Sequence, residues 1–362
     1  MAEPPRPNDD ETGRRGRSAA GEGMRARLRP PRYTAVWLAT GLMFAVSPLF
    51  ASNSLDSSAL LSMLPLAAML AIAAIGQTLV IQQRGLDLSV PGMILLTSII
   101  VTQHAGGRNS GLPVAILLVV LACVASGVVS GIAITQFGIT PLVATLGVNA
   151  LLIGTVYQLT NGQGTGISPP GLANFAIHKT IGIPNTALVA AIGVIVIALL
   201  IRATIVGRRF VAVGASAAAA RAAGIRVTVY VVVTYVLASL CYGAAGILIT
   251  GYTQTPGIGA GSTYLLPTIA AVVLGGTSLA GGNGSVVATA VGAVFLTQLD
   301  QVVTANGAAQ SVQFIIQGAI IALSVLLRNV PWRALRSRIS SQPPRAVALA
   351  GAAARQLSER ER

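Results

Sequence analysis

Between residues 33 and 328 this chain carries three acidic residues, Asp56, Asp87 and Asp300, and almost everything else there is apolar or small. Windows of about 20 apolar residues recur along that length, the span a helix needs to cross a bilayer core. In hydrocarbon only a helix or a closed barrel satisfies its own backbone. The windows are continuously apolar rather than alternating, so barrel strands are excluded. Charged residues make up 9% of the chain, far below the roughly 25% of a soluble domain. The fold class is all-α, a polytopic helical membrane protein.

The segments fall near residues 33–51, 60–81, 88–102, 113–135, 141–160, 186–206, 227–250, 264–278, 285–304 and 311–328. The third and eighth are short and marked by glycine or proline, as broken or re-entrant elements are. The second and fourth are long enough to tilt. With the amino terminus inside, the 24 Lys and Arg residues all fall on the cytoplasmic side except Arg108 and Lys179. That imbalance follows the positive-inside rule and requires an even number of spans. Both termini are then cytoplasmic, and the chain divides into a disordered basic tail over 1–32, a membrane domain over 33–328 and a second basic tail over 329–362. AVALAGAAARQLSERER in the last of these reads as a helix, and both tails suit contact with anionic lipid. The Arg-rich lead and the first span resemble an uncleaved signal-anchor. Net charge is +14, but no arginine and aromatic interleaving suggests nucleic acid.

Catalytic chemistry finds no constellation. His104 and His178 lie in expected external loops, and the acids are too sparse for a paired carboxylate or a metal cage. A P-loop needs a lysine on a glycine-rich turn, and the only lysine is Lys179, in an external loop. Cys123 and Cys241 sit inside spans, where a small packing role outranks a disulfide or metal pair.

Two glycine-rich breaks interrupt the apolar runs. The first is GQTLVIQQRGLDLSVPGM, from Gly76 to Met93, where Asp87 or Ser89 is placed to cap the next helix and Pro91 suits its first turn. The second, from Ala270 to Leu296, gathers Gly275, Gly276, Gly281, Gly282 and Gly284 among Thr277, Ser278, Asn283 and Ser285. Breaks in matching positions of two halves, about 60–160 and 230–328, suggest an internal repeat around a transport pathway. A third polar-marked stretch, Phe137 to Gly154, places Thr145 and Asn149 on one span. An asparagine there serves a neighbouring helix more often than a cargo.

Charge is concentrated in one internal loop. Arg202, Arg208, Arg209, Arg221 and Arg226 surround GRRFVAVGASAAAARAAGIRV, Gly207 to Val227. Each arginine costs about 2.5–3.5 kcal/mol at a bilayer centre, so the loop lies outside the membrane and needs a partner or an interface there.

These motifs resemble the permease subunits of sugar-type ABC importers, the ribose, xylose, arabinose and galactoside group. GQTLVI with GLDLSV, TPLVATLGVNALLIGTVYQLTNGQG, and YLLPTIAAVVLGGTSLAGGNGSVVATAVGAVFL carry the likeness in order from Leu60 to Leu327. The resemblance implies a coupling helix in the 207–226 loop, docked on a cytoplasmic ATPase through Gly214, Ala219, Ala220, Arg221 and Gly224. The family usually places acids just before its Ala-Ala-Arg, and this chain has Ala217 and Ala218 instead. It further implies a permease homodimer in a bacterial cytoplasmic membrane, an extracytoplasmic substrate-binding protein, and ATP with magnesium used by the ATPase alone. This chain would bind no cofactor or metal and have no catalytic residue. A pathway for neutral sugar calls for small, hydroxyl and amide groups with few charges, which fit Gln77, Ser89, Thr145, Asn149, Gly275, Gly276, Thr277 and Ser278, and the carboxylate of Asp87 is placed on the pathway with them. The alternatives are an ABC permease for another small solute, such as a branched amino acid, nucleoside or signalling sugar, and an ion-coupled secondary carrier.

Overall fold

A computed structural model describes residues 33–163 and 166–329. The tail expected over 1–32, and all but the first residue of that expected over 329–362, lie outside the described residues. The helices are α1 (Thr34–Phe50), α2 (Ser57–Gln82), α3 (Val90–Ala105), α4 (Leu112–Thr135), α5 (Pro141–Thr160), α6 (Pro170–Ile177), α7 (Asn185–Ala203), α8 (Ile205–Ala215), α9 (Ala217–Ala222), α10 (Val227–Thr253), α11 (Leu265–Leu274), α12 (Val286–Ala305) and α13 (Gln310–Asn329). Among the described residues, six helical segments are long and apolar enough to span a membrane and four more are apolar but shorter. They match the ten expected segments one for one.

The two short segments are short for a physical reason. At 1.5 Å per residue, α3 is about 24 Å long and α11 about 15 Å, against a hydrocarbon core of about 30 Å. The eighth segment, expected to run to residue 278, stops at Leu274 because Gly275 and Gly276 turn the chain out of the helix.

Helix α10 is the hub, packing against α4, α2, α3 and α6. Gly127 and Gly131, one turn apart on α4, face the α10 backbone at Val236 and Val232. A Cβ on Gly131 would lie 2.6 Å from the Val232 Cα. Such small-residue contacts let backbones approach, which is how helices associate where lipid is as apolar as leucine. One turn earlier, the Cys123 Sγ packs against Gly243, the small-residue role expected of it. A second core joins α2, α11 and α12 through Leu70, Ala74, Ile81, Ala271 and Leu296. Across it, the Thr78 hydroxyl lies 2.9 Å from that of Thr289.

The outward faces of α4, α5 and α7 expose Leu117, Leu121, Leu151, Ile192 and Leu199, as lipid contact requires. The connection between α5 and α7 holds structure not expected from the sequence. Pro170 opens α6, and a short hairpin pairs β1 (Lys179–Thr180) with β2 (Ile183–Pro184).

Candidate functional site

Both breaks begin in the same way. After α2, the Arg84 N–H donates to the Ile81 carbonyl and the Gly85 N–H to that of Val80, each at 3.0 Å. After α11, Gly276 donates to Val273 at 3.0 Å and Thr277 to Val272 at 3.2 Å. This paired pattern is the Schellman motif, which needs one residue in the left-handed region. Gly276 supplies it with φ +84°, and Arg84 supplies it with φ +64°.

The arginine stands at this position because its side chain is used. Its Nε donates to the Gly214 carbonyl at 2.9 Å, and its Nη2 to that of Ala215. These are unsatisfied carbonyls of the last turn of α8, where a cation also meets the negative end of the helix dipole. The neighbouring residue must be glycine for a different reason, since the Tyr235 hydroxyl occupies the space of a Cβ at Gly85.

Three segments far apart in sequence thereby close into one clasp. Gln83 Nε2 donates to the Phe210 carbonyl at 2.8 Å. The Gly282 N–H donates to the Gln82 carbonyl at 2.8 Å. A side chain on Gly214 would collide with the Gln82 carbonyl, and one on Gly282 would lie 2.8 Å from the Ala215 Cα. The loop between α11 and α12 folds on itself to present Gly282, with Ser278 donating to the Asn283 carbonyl at 2.8 Å. The first break, the second break and the arginine-bearing loop are one structure.

Beyond the clasp the chain runs directly into α9. The Ser216 Oγ accepts from the Ala219 N–H at 3.2 Å and caps its start. Another Schellman motif ends it, with Gly224 donating to Arg221 at 2.9 Å and Ile225 to Ala220 at 3.0 Å. Gly224 has φ +76°. Ala220 is buried, while Ala219, Arg221 and Gly224 are exposed, as are Arg202, Arg208, Arg209 and Arg226. Of the five expected docking residues, Gly214 belongs to the clasp and the others to this capped turn.

The start of α3 is held by α5. Asp87 Oδ1 accepts from the Ser89 N–H at 2.9 Å and from its hydroxyl at 2.6 Å. Burial pushes the Asp87 carboxyl above its ordinary range, against the Ser89 hydrogen bonds that pull it down. Ser89 holds the cap position but its oxygen makes no cap bond. Instead Asn149 Oδ1 accepts from the Gly92 N–H at 2.9 Å, and the Thr145 hydroxyl accepts from the Leu88 N–H at 3.0 Å. Gln77, on α2, accepts from the Tyr242 hydroxyl at 3.0 Å. Gly275 packs against the α12 backbone at Thr289, and Gly276 and Thr277 complete the α11 end.

A cavity of about 600 Å³ opens elsewhere, at the ends of α2, α10, α11, α12 and α13 remote from the clasp. None of the nine residues expected on the pathway lines it. Its polar lining comes largely from Asp300, Gln301, Gln313 and Gln317, which the sequence reading missed. A signal was available. Thr297, Asp300, Gln301 and Thr304 stand at i, i+3, i+4 and i+7 on α12, and Gln310, Gln313 and Gln317 at i, i+3 and i+7 on α13. Each set marks a single helix face.

Residues 59–325 match the family model described as a branched-chain amino acid transport system permease component. The chain belongs to this permease family. The permease is 34% identical over 260 residues to the ribose import permease protein of Escherichia coli strain K12, covering 71% of this chain and 81% of that one. It is 35% identical over 258 residues to the ribose import permease protein of Bacillus subtilis, covering 70% and 79%. It is 31% identical over 266 residues to an autoinducer 2 import system permease protein of Photorhabdus laumondii, covering 71% and 79%. No solved structure matches the permease. As an ABC importer permease it works with an ATPase and a substrate-binding protein, and the clasp lies within the matched segment.

Proposed function

We propose that this permease moves a monosaccharide inward across a bacterial cytoplasmic membrane, driven by ATP hydrolysed with magnesium on a separate subunit. The observation that carries the mechanism is the clasp, which ties an exposed, capped, arginine-bearing turn to both helix breaks through the Arg84 and Gln83 side chains on α8 carbonyls and the Gly282–Gln82 main-chain bond. A push on α9 reaches α8, then Gln82–Arg84 and Gly281–Gly282, through the Arg84 and Gln83 hydrogen bonds and the close backbone approaches at Gly214 and Gly282. In this reading the ATPase engages the 207–226 loop at Ala219, Arg221 and Gly224, while Ala220, expected among the docking residues but buried here, seats the turn on the permease and Gly214 transmits the load.

Two copies of the chain surround the pathway, with both termini in the cytoplasm and the binding protein at the opposite face. Gln77, Asp87, Ser89, Thr145, Asn149, Gly275, Gly276, Thr277 and Ser278 form an inner gate. Gln77, Asp87, Ser89, Thr145, Gly275 and Thr277 are buried, which suits groups that meet cargo only when α3 and α11 part. The sugar reading draws on the names of the ribose and autoinducer 2 relatives.

Uptake by proteoliposomes containing the whole transporter tests this reading. Sugar accumulation should require hydrolysable ATP and be indifferent to an ion gradient. Uptake that persists without ATP and collapses with the ion gradient would make the chain a secondary carrier instead. Replacing Arg221 and Gly224 together should leave ATP hydrolysis running while uptake stops. Wild-type uptake in that double variant would remove α9 from the mechanism.

A further inference from the structure

The cavity remote from the clasp is polar in a particular way. Gln317 is 1% exposed, and its Nε2 donates to Asp300 Oδ1 at 3.3 Å. Among the described residues its Oε1 has no hydrogen-bond partner, nor has that of Gln301. A buried amide oxygen without a partner costs about 1–3 kcal/mol, so a cavity whose lining holds two such residues is arranged for a donor that arrives from outside. Gln313 donates to the Thr304 hydroxyl at 2.9 Å, which holds the α12 and α13 faces in register. Tyr252, Tyr264 and Phe314 supply apolar ring surface to the same lining.

The charge of the lining selects the ligand class. Among the described residues Asp300 is its sole charged one. An amino acid would bring a carboxylate with no cation to meet it, and a phosphorylated solute would face Asp300 directly. A neutral polyol fits, because each hydroxyl both donates and accepts. Adjacent hydroxyls can donate to the Asp300 carboxylate and to the free amide oxygens, while the C–H face of a sugar ring lies on an aromatic ring. The volume falls within the range of about 300–1,000 Å³ usual for small-molecule pockets.

We infer that the cavity lined by Asp300, Gln301, Gln313 and Gln317 is a contact site for a neutral aldose in ring form, where the permease itself reads hydroxyl groups. This rests on the sugar-import reading above. It adds a selective station within the membrane subunit, separate from the binding protein.

The test uses the complete transporter in proteoliposomes, with labelled D-ribose, D-xylose, L-arabinose and D-galactose offered in turn. Gln317→Leu and Asp300→Leu should each lower uptake of the accepted sugar by about tenfold, the scale of losing one net hydrogen bond. Binding-protein-stimulated ATP hydrolysis should stay within about twofold of wild type, because the clasp is untouched. A Gln313→Cys variant should react with a membrane-impermeant maleimide, and the accepted sugar should slow that reaction. If the leucine variants fail to insert, this protection carries the test alone. Undiminished uptake in both leucine variants, or labelling of Gln313→Cys that the transported sugar leaves unchanged, overturns the site while leaving sugar import standing. A wild-type transporter that accumulates none of the four aldoses removes the sugar reading, and this site with it.

Discussion

Arg84 places a long charged side chain where most helices end in glycine. The left-handed conformation costs a non-glycine residue about 1–2 kcal/mol. A hydrogen bond from a charged group contributes roughly 1.5–3 kcal/mol, and Arg84 makes two, so the contacts outweigh the strain. Arg84→Gly should therefore keep the α2 end and its left-handed turn but open the clasp. The expected result is normal insertion, a modestly lower Tm from the lost contacts, and ATP-driven uptake reduced about tenfold. Uptake equal to wild type would show that the two carbonyl contacts carry no load. Gly214→Val should be harsher, since its side chain meets the Gln82 carbonyl with nowhere to move. The sequence hid this arrangement because carbonyl and amide groups are the same at every residue. Only the glycines at 214, 281 and 282, singled out as a docking residue and as part of a helix break, hinted at close backbone approach, and nothing in the sequence said what approaches them.

The exposed turn α9 owes its shape to its two ends. Its six residues are too few to hold a helix by propensity alone, since isolated helices below about 12 residues are marginal in water. Ser216→Ala should weaken it by roughly 1 kcal/mol through loss of the cap. Gly224→Ala should do so by a similar amount through left-handed strain, about 1–2 kcal/mol. Both should raise amide exchange over 217–222 and loosen coupling while the spans stay intact. This element was legible from SAAAARAAG. The mutual cap between α3 and α5 was legible only in part. Asn149 was assigned to a neighbouring helix in preference to cargo, but its partner, the Gly92 N–H, lies across a fold that periodicity does not describe. Asn149→Leu leaves that amide unpaired and should cost about 1–3 kcal/mol, seen as a lower Tm in detergent. An unchanged Tm would mean that another acceptor reaches Gly92.

At the scale of the whole molecule, the sequence was at its most readable. Apolar runs and their bounding glycines predicted all ten apolar helices, because lipid forces each span to satisfy its own backbone. What the pattern could not supply was which faces meet. The amides of α12 and α13 sit inside runs that read as ordinary spans, so only their helical spacing marks the cavity. Orientation has a direct check. In intact cells Ala218→Cys, at the exposed turn, should resist an impermeant maleimide until the membrane is opened, whereas Lys179→Cys should react at once. The reverse pattern would invert the topology and place the clasp on the outside.

Helix α2 joins the two ends of the molecule. Its last residues, Gln82 and Gln83, are gripped by the clasp, while Ser62, Met63 and Leu66 line the remote cavity beside Pro65. From Pro65 to Gln82 the helix is a lever arm about 26 Å long, and proline weakens it at the cavity end by removing a backbone hydrogen bond. A rocking of about 5° at the gripped end would sweep the far end through about 2 Å over that length. That is a large fraction of a hydrogen-bond length, enough to carry a donor into or out of reach of its acceptor. One stroke of the motor subunit could thus loosen the grip on cargo without any element unfolding.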